Sequence, residues 1–512
     1  MDYLSLVVTA VVVFTGLYYY ARRGLDFFKK HGIPHVPPLP IFGNMGNISF
    51  KRETATAFLK KMYNIHPDAK YVGFYEFTNP IVLLRDLDLI KSITIKNFET
   101  FPDHRPIIKN EQDSLFGRML FFKSSEDWKD LRHNMSPVFT SSKIKGMFTH
   151  MSNVAVYFSN YMSKIPEKEQ EIELKAVLTK YTNDVIATCV FGIGVNSIED
   201  PNNAIYVNGR GVTNFSGPLQ YLKFLLIRNW PSLVQLLNIK FVPAKREKYF
   251  EDLIVDTMNQ REKNGIYRPD MMQYLIEVRK KSKAERQLTD KDMASQAFGF
   301  FFGGYETVAS QACSTIHNIV TNPEVQERLQ QEIDQILEKT QGQITYDTIV
   351  GMEYLDAVLN ESLRMYPSSL FLDRVCMQDF ELPPTLPGHK PFIAKKGTNV
   401  WIPVYAIQTD PNYFEDPEKF NPERFLQDGK RIASSGTFIP FGVGPRSCIG
   451  NRFALIEIKV LLFHLFARCD LKPCSRTNIP LKMAKGVLGI LSENGFWLKV
   501  EPRKHISPFV VQ

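Results

Sequence analysis

Phe441-Gly-Val-Gly-Pro-Arg-Ser-Cys-Ile-Gly450 is the stretch on which the reading of this chain turns. Glycine at 442, 444 and 450 lets backbone approach a flat ligand closely, because no Cβ stands in the way. An apolar helix is predicted over Ile449–Phe466, so Cys448 sits where that helix begins. The positive end of a helix favours thiolate over thiol. Backbone N–H groups of the loop are placed to hydrogen-bond the sulfur and tune its donor strength. Arg446, two residues earlier, is placed to pair with an acidic group on the same ligand. A cysteine taken at random reads as a buried, inert thiol, but this one lies in a loop suited to close approach.

The window fits F-x-x-G-x-R-x-C-x-G at every fixed position and resembles the haem loop of the cytochrome P-450 superfamily. The resemblance implies haem b (iron protoporphyrin IX), with Cys448 as the axial iron ligand and Phe441, Gly442 and Gly450 lining the cofactor. A thiolate that pushes electron density into haem iron assists O–O cleavage. Other segments follow in that superfamily's order over essentially the whole chain. Glu361-Ser-Leu-Arg364 matches its E-x-x-R helix. Positions i and i+3 share one helix face. The apolar flanks Leu355, Val358, Leu359 and Leu363 argue that the pair is buried, and a buried pair needs further hydrogen bonds. Pro422-Glu-Arg-Phe425 resembles the segment whose arginine completes that network, which makes Arg424 its candidate. Glu361, Arg364 and Arg424 are read as architectural. Trp128-Lys-Asp-Leu-Arg132 resembles the family's W-x-x-x-R helix, with Trp128 and Arg132 one turn apart. Arg374, ten residues after Arg364, matches a propionate-binding arginine. With Arg446 these form an expected cationic clamp for two carboxylates.

Gly303-Gly-Tyr-Glu-Thr307 lies inside a proline-free helix predicted over Met293–Thr321, with Pro323 just beyond. Paired glycines cost helix stability, roughly 1 kcal/mol each. Such a weak spot invites local widening where a ligand or water enters. The alternative is close helix packing, with Thr307 bonding back to its own turn. The segment resembles the family's oxygen-binding groove, which implies that Thr307 and Glu306 relay protons. By the same resemblance Phe302 borders the distal pocket and Gly303 lies over the iron. Phe121 and Phe122 resemble a substrate-contact loop, and Ser369, Leu370, Val487 and Leu488 are further candidates. The last two fall in a hairpin expected over residues 487–500, with Asn494-Gly495 at its turn. An apolar, aromatic cavity favours lipophilic molecules held by shape.

The fold class is mainly α with small β-sheets. Short β-rich runs occur at Ile81–Leu84 and Asn399–Val404, and a helix over Met352–Tyr366 is stopped by Pro367. No repeat of fixed period is present. The 512 residues, 44% of them hydrophobic, suit one large body, placed at 44–512. Ahead of it, Tyr3–Ala21 carries no charge and is followed by Arg22, Arg23, Lys29 and Lys30. That run is close to the length of a membrane-spanning helix, and its basic flank puts the body on the cytoplasmic side. Basic residues that follow the apolar run argue against a cleaved signal peptide. Residues 1–22 are therefore expected to be a single-pass transmembrane helix, and the resemblance implies that its membrane is the endoplasmic reticulum. Residues 23–43, with Pro34, Pro37, Pro38 and Pro40, are expected to be a stiff hinge. Tyr221–Trp230 reads either as core or as a membrane-dipping roof.

Net charge is +8 with pI near 8.9, which suits a basic docking face or an anionic membrane surface. No basic run of nucleic-acid type stands out. Six cysteines without framework spacing read as reduced thiols. No nicotinamide fingerprint or flavin motif is evident, so electrons must come from a partner. The resemblance implies an NADPH-dependent flavoprotein reductase, with cytochrome b5 as a further partner. Lys129 and Arg452 are candidate contacts for it, against the plain reading of solvated charges. The activity implied is a membrane-bound monooxygenase acting on small lipophilic substrates. The stretches FFGGYET, LFLDRVC and LKVEPR look most like insect microsomal, xenobiotic-metabolising members, which implies plant compounds and insecticides as substrates. Two rivals remain open at this point. One is a haem-thiolate isomerase or dehydratase that needs neither O2 nor reductase, against which Thr307 and Glu306 argue. The other is a catalytically silent haem- or lipid-binding protein.

Overall fold

Thirty-one residues without a proline, Asp290–Val320, form the helix around which the body is assembled. Its first turn is closed by a capping box. Thr289 accepts from the Asp292 N–H, and the Asp292 carboxylate accepts from the Thr289 N–H. Every residue from Val308 to Val320 is buried. Beside it lies the helix Leu174–Ile186, where the Thr182 hydroxyl donates to the Tyr305 carbonyl at 3.0 Å. The helix after the cysteine loop runs over Asn451–Arg468 and packs on Ser141–Ser163. His464 meets Ser152 at 3.0 Å there, and Arg468 donates to Asn160 at 2.8 Å. In this computed structural model residues 3–22, 24–105, 115–213, 218–281, 288–487 and 489–510 are described.

Nine strands are present among the described residues: β1 (Tyr71–Glu76), β2 (Asn79–Leu84), β3 (Glu171–Glu173), β4 (Leu372–Val375), β5 (Phe380–Leu382), β6 (Phe392–Ala394), β7 (Asn399–Ile402), β8 (Cys469–Lys472) and β9 (Trp497–Pro502). They form sheets of order β1-β2-β7-β4, β3-β9-β8 and β5-β6. Among the described residues there are two hydrophobic cores, one among the helices and one around the four-stranded sheet. The mainly α class with small sheets is what the sequence led us to expect.

Three local expectations are altered. The hairpin over residues 487–500 does not form. Met483 bridges Ser492 instead, and β9 is held between β3 and β8. Gly495 does turn the chain, at φ 82°, but long-range pairing with Cys469–Lys472 outweighs the local turn signal. The proline-rich segment is packed along β1: the Gly73 N–H donates to the Pro34 carbonyl, and Phe28 is fully buried against Gly73. Finally, Tyr3–Arg22 is a helix of 20 residues. Among the described residues no helix is long and apolar enough to cross a membrane, and part of this helix's side chains lies outside them.

All six cysteines are free, in line with the reduced thiols expected. Two buried histidines carry a pH signature. Burial pushes His317 down to about 4 and His464 down to about 3, the latter helped by Arg468. Both stay neutral in the fold at pH 5, where the unfolded chain binds the proton. Their stabilisation is complete above pH ~6.5 and is lost as pH falls toward their folded values. Acidification from pH 7 to 5 should cost about 2 kcal/mol per histidine. Urea unfolding of wild type and His317→Gln at both pH values checks this: the variant should lose about 2 kcal/mol less than wild type between pH 7 and 5.

Candidate active site

The cysteine loop is shaped by two glycines in left-handed backbone, Gly442 at φ 79° and Gly444 at φ 75°. A Cβ on Gly444 would stand 2.1 Å from the Thr94 carbonyl oxygen, so no other residue fits. The Cys448 N–H donates back to the Phe441 carbonyl at 2.8 Å, which closes the loop. Gly450 is the N-cap of the helix that begins at Asn451, and its space is open enough for ordinary contact with Phe139. Cys448 keeps open surface although protein atoms crowd its thiol. Burial pushes this thiol up, while the Gly450 N–H and the Arg132 guanidinium hold it back. Thiolate here therefore gains from a metal partner.

Beside the loop runs a chain of buried charges. Arg446 donates to Pro102 and Lys123 carbonyls and to Asp103 at 2.9 Å, and lies 4.1 Å over the Trp128 ring. Asp103 also accepts from the Ser125 N–H and hydroxyl, which holds Ser125 at φ 46° at the start of the Trp128 helix. Burial pushes Arg446 down to about 10; Asp103 resists this and neighbouring Arg374 adds to it. Burial opposes ionisation of Asp373, but His104, the Arg105 N–H and Arg228 outweigh it and hold the carboxyl well below its usual range. Glu76 is gripped by Arg105 at 2.5 Å and by Arg228. Trp128 is buried and Arg132 is half-buried near Cys448. Four guanidiniums (105, 228, 374, 446) thus face three carboxylates (76, 103, 373), an excess of one positive charge, with Arg132 beside Cys448 as a further cation. Arg446 Nη1 and Arg374 Nε are buried without a partner among the described residues. This donor set fits a ligand that carries two carboxylates and an iron for the thiol.

The opposite wall is the long helix. Phe301, Tyr305 and Val308 are buried, but Gly303 and Thr307 are exposed, and a Cβ on Gly303 would meet nothing within 4 Å. The helix therefore turns one open face inward. The Thr307 hydroxyl donates to the Gly303 carbonyl at 2.5 Å, the local bond that was the bland alternative. Glu306 is paired with Lys175 at 2.6 Å, on the neighbouring helix. Phe302 packs edge-on against Phe116 with ring centres 4.8 Å apart, and Phe122 joins the same group at 5.3 Å. Phe121 stacks on His104 at 4.7 Å and is half open to solvent. Ser369 is exposed, whereas Leu370 is 1% exposed and belongs to the sheet-side core. Val487 is half-buried, and Leu488 lies outside the described residues. Lys129 is held by Glu99 and Glu126, which blunts it as a docking charge.

Behind the loop, Glu361 and Arg364 are both fully buried. Their fork–fork pair measures 2.8 Å at each bond. Arg364 also donates to the Gln408 and Pro417 carbonyls, and Arg424 reaches Glu361 at 3.4 Å. Asp103, Asp373 and Lys175 were not singled out from sequence. Each lies far along the chain from its partner, and no spacing announces it.

A thiol-bearing loop, a long helix with an exposed Gly303–Thr307 face and a buried Glu–Arg pair have a counterpart in known proteins. The family model "Cytochrome P450" matches residues 34–499. The chain belongs to the cytochrome P450 family. It is 41% identical over 506 residues to "Cytochrome P450 9e2" of Blattella germanica, covering 93% of this chain and 94% of that one. It is 36% identical to "Probable cytochrome P450 9f2" of Drosophila melanogaster, over 98% and 99% of the two chains. "Cytochrome P450 6k1" of Blattella germanica is 34% identical over 94% and 93%. This P450 is a haem-thiolate monooxygenase that uses haem b, electrons from NADPH through a reductase, and small substrates.

Removal of Arg364 in this P450 leaves Glu361 fully buried with only the longer 3.4 Å contact to Arg424 to balance its charge. Arg364→Ala should destabilise the fold by roughly 3–5 kcal/mol, read as a shift of the urea midpoint. Arg424→Ala, at the looser edge of the network, should cost clearly less.

Proposed function

We propose that this P450 works on the endoplasmic reticulum membrane, where it oxidises lipophilic foreign compounds such as plant toxins and insecticides. Cys448 is its iron ligand, and Thr307 and Glu306 are its proton-moving pair. The observation that carries the reading is the open Cys448 thiol in a glycine-shaped loop beside buried arginines whose Nη1 and Nε lack partners among the described residues. Haem, when bound, supplies the redox chemistry that splits dioxygen and places one oxygen atom on the substrate. The chain's own residues do the rest. Trp128, Arg132, Arg374 and Arg446 hold the propionate end, and Phe441, Gly442 and Gly450 line the sulfur side. Glu361, Arg364 and Arg424 hold the loop from behind. Phe302, Gly303, Phe122 and Ser369 border the substrate, with Phe121 and Val487 toward its entry.

Proton movement follows from two contacts. The Thr307 hydroxyl must turn from the Gly303 carbonyl to donate into the groove. Glu306 must exchange Lys175 for water before it can shuttle a proton inward. The aromatic group of Phe116, Phe122, Phe298 and Phe302 excludes water from the reacting end. The order of domains proposed is an anchor at 1–22, a docked hinge at 23–43 and the catalytic body at 44–512. Exposed Leu222, Trp230, Leu233, Leu236 and Leu237 support contact of the roof with a bilayer. Such contact admits substrates dissolved in lipid. The reductase, and cytochrome b5 as a second donor, are the proposed electron partners.

The reduced carbon monoxide difference spectrum is the test. Wild type should give the red-shifted band of a thiolate ligand, and Cys448→Ala should lose it. A band unchanged in Cys448→Ala would sink the assignment. With NADPH and reductase, Thr307→Ala should keep consuming NADPH while oxidised product falls about a hundredfold, the usual scale of a lost proton-transfer group.

A further inference from the structure

Gln408 is fully buried at the end of the short helix Val404–Gln408, and the functional reading above gives it no task. Its side-chain amide is saturated. Nε2 donates to the carbonyls of Leu363 and Arg364, each at 3.0 Å. Oε1 accepts from the Ile439 N–H at 2.8 Å. The two carbonyls belong to the last turn of the helix Glu353–Met365, where they have no partner within the helix. Ile439 is the stem of the cysteine loop. Its own carbonyl accepts from the Gly442 N–H at 3.0 Å, and the Phe441 carbonyl between them accepts from the Cys448 N–H at 2.8 Å. Arg364 closes the circuit by donating to the Gln408 carbonyl at 2.9 Å.

Hydrogen bonds and the short backbone run Ile439–Gly442 thus link the Glu361–Arg364 pair through one amide to the backbone of Cys448. Only a primary amide offers two donors and an acceptor on one rigid plane. A carboxylate would set an anion against two carbonyl oxygens. An aliphatic side chain would leave one N–H and two carbonyls unmet.

We propose that Gln408 is a positioning residue for the Cys448 sulfur, setting the height and tilt of its loop from the end of the Glu353–Met365 helix. This rests on the reading of Cys448 as the iron ligand. The step involves no titration and no bond making; it fixes the geometry in which the thiolate is held.

The test uses the full-length holoenzyme. Gln408→Met keeps the length and removes all three bonds; Gln408→Glu keeps only the acceptor. Both should retain haem, yet the ratio of thiolate-type to thiol-type carbonyl complex should fall about tenfold, the size of one buried hydrogen bond left unmade. The iron–sulfur stretch, read by resonance Raman, should shift in both. A residue that merely stabilised the fold would lower the denaturation temperature and leave band ratio and stretch untouched, and that result overturns the proposal. If Gln408→Met does not fold, Gln408→Asn, whose amide falls one methylene short, must give the same shifted stretch; an unshifted one is equally fatal. Absence of the thiolate band from wild type would instead refute the iron-ligand reading.

Discussion

A guanidinium and a carboxylate with no exposure at all, Arg364 and Glu361, are what the cysteine loop leans on. Two charges taken out of water cost more than their attraction returns unless every remaining donor and acceptor is met. Here they are met by backbone: the carbonyls of Gln408 and Pro417 and the N–H of Asn421. All three lie in one stretch, residues 408–421, well along the chain from the pair itself. The pair can therefore be satisfied only when all of them are in place, which ties a local helix motif to the assembly of the whole region. In return the loop gains a fixed floor. The same arrangement explains why the loop tolerates left-handed glycines and a close approach to Thr94 without losing definition.

The front of the loop is governed by charge in the opposite sense. Arginines outnumber carboxylates in a buried chain that runs from Arg446 to Arg228. A surplus of this kind is unfavourable in a low-dielectric interior unless an anion completes it. A dicarboxylate cofactor does so. The chain also reaches the roof helix Pro218–Asn229, because Arg228 grips Glu76 on β1. The arginines beside the cysteine loop and the helix Pro218–Asn229 are thus parts of one electrostatic unit that meets the sheet at its edge strand β1. On the far side the long helix gives up packing at Gly303 and Thr307, and the capping box and buried second half hold it straight enough to bear that loss.

Much of this was legible in the sequence. The loop, the Glu–Arg spacing, the paired glycines and the tryptophan helix are each contained within a few residues, so their chemistry is visible in one window. The long helix was readable from its lack of proline, and the structure begins it three residues earlier than Met293 because the Thr289 cap does so. The failures have one cause. The expected hairpin at 487–500 lost to pairing between β9 and the distant strands β3 and β8. Leu370 was taken as a pocket residue but is consumed by the sheet-side core. Of the two readings open for Lys129, docking contact or plain surface charge, its pairing with Glu99 and Glu126 favours the second.

The sequence by itself determined which atoms are available: one thiol in a cleared loop, one carboxylate and one guanidinium a turn apart, one threonine beside paired glycines. Periodicity and motif spacing suffice for that, since they report on neighbours along the chain. Only the tertiary structure decided what those atoms touch. Arg446 meets Asp103, Glu306 meets Lys175 and Ile439 meets Gln408 across long stretches of chain. Burial sets the worth of each contact, and burial is a property of the packed whole that no window of sequence contains.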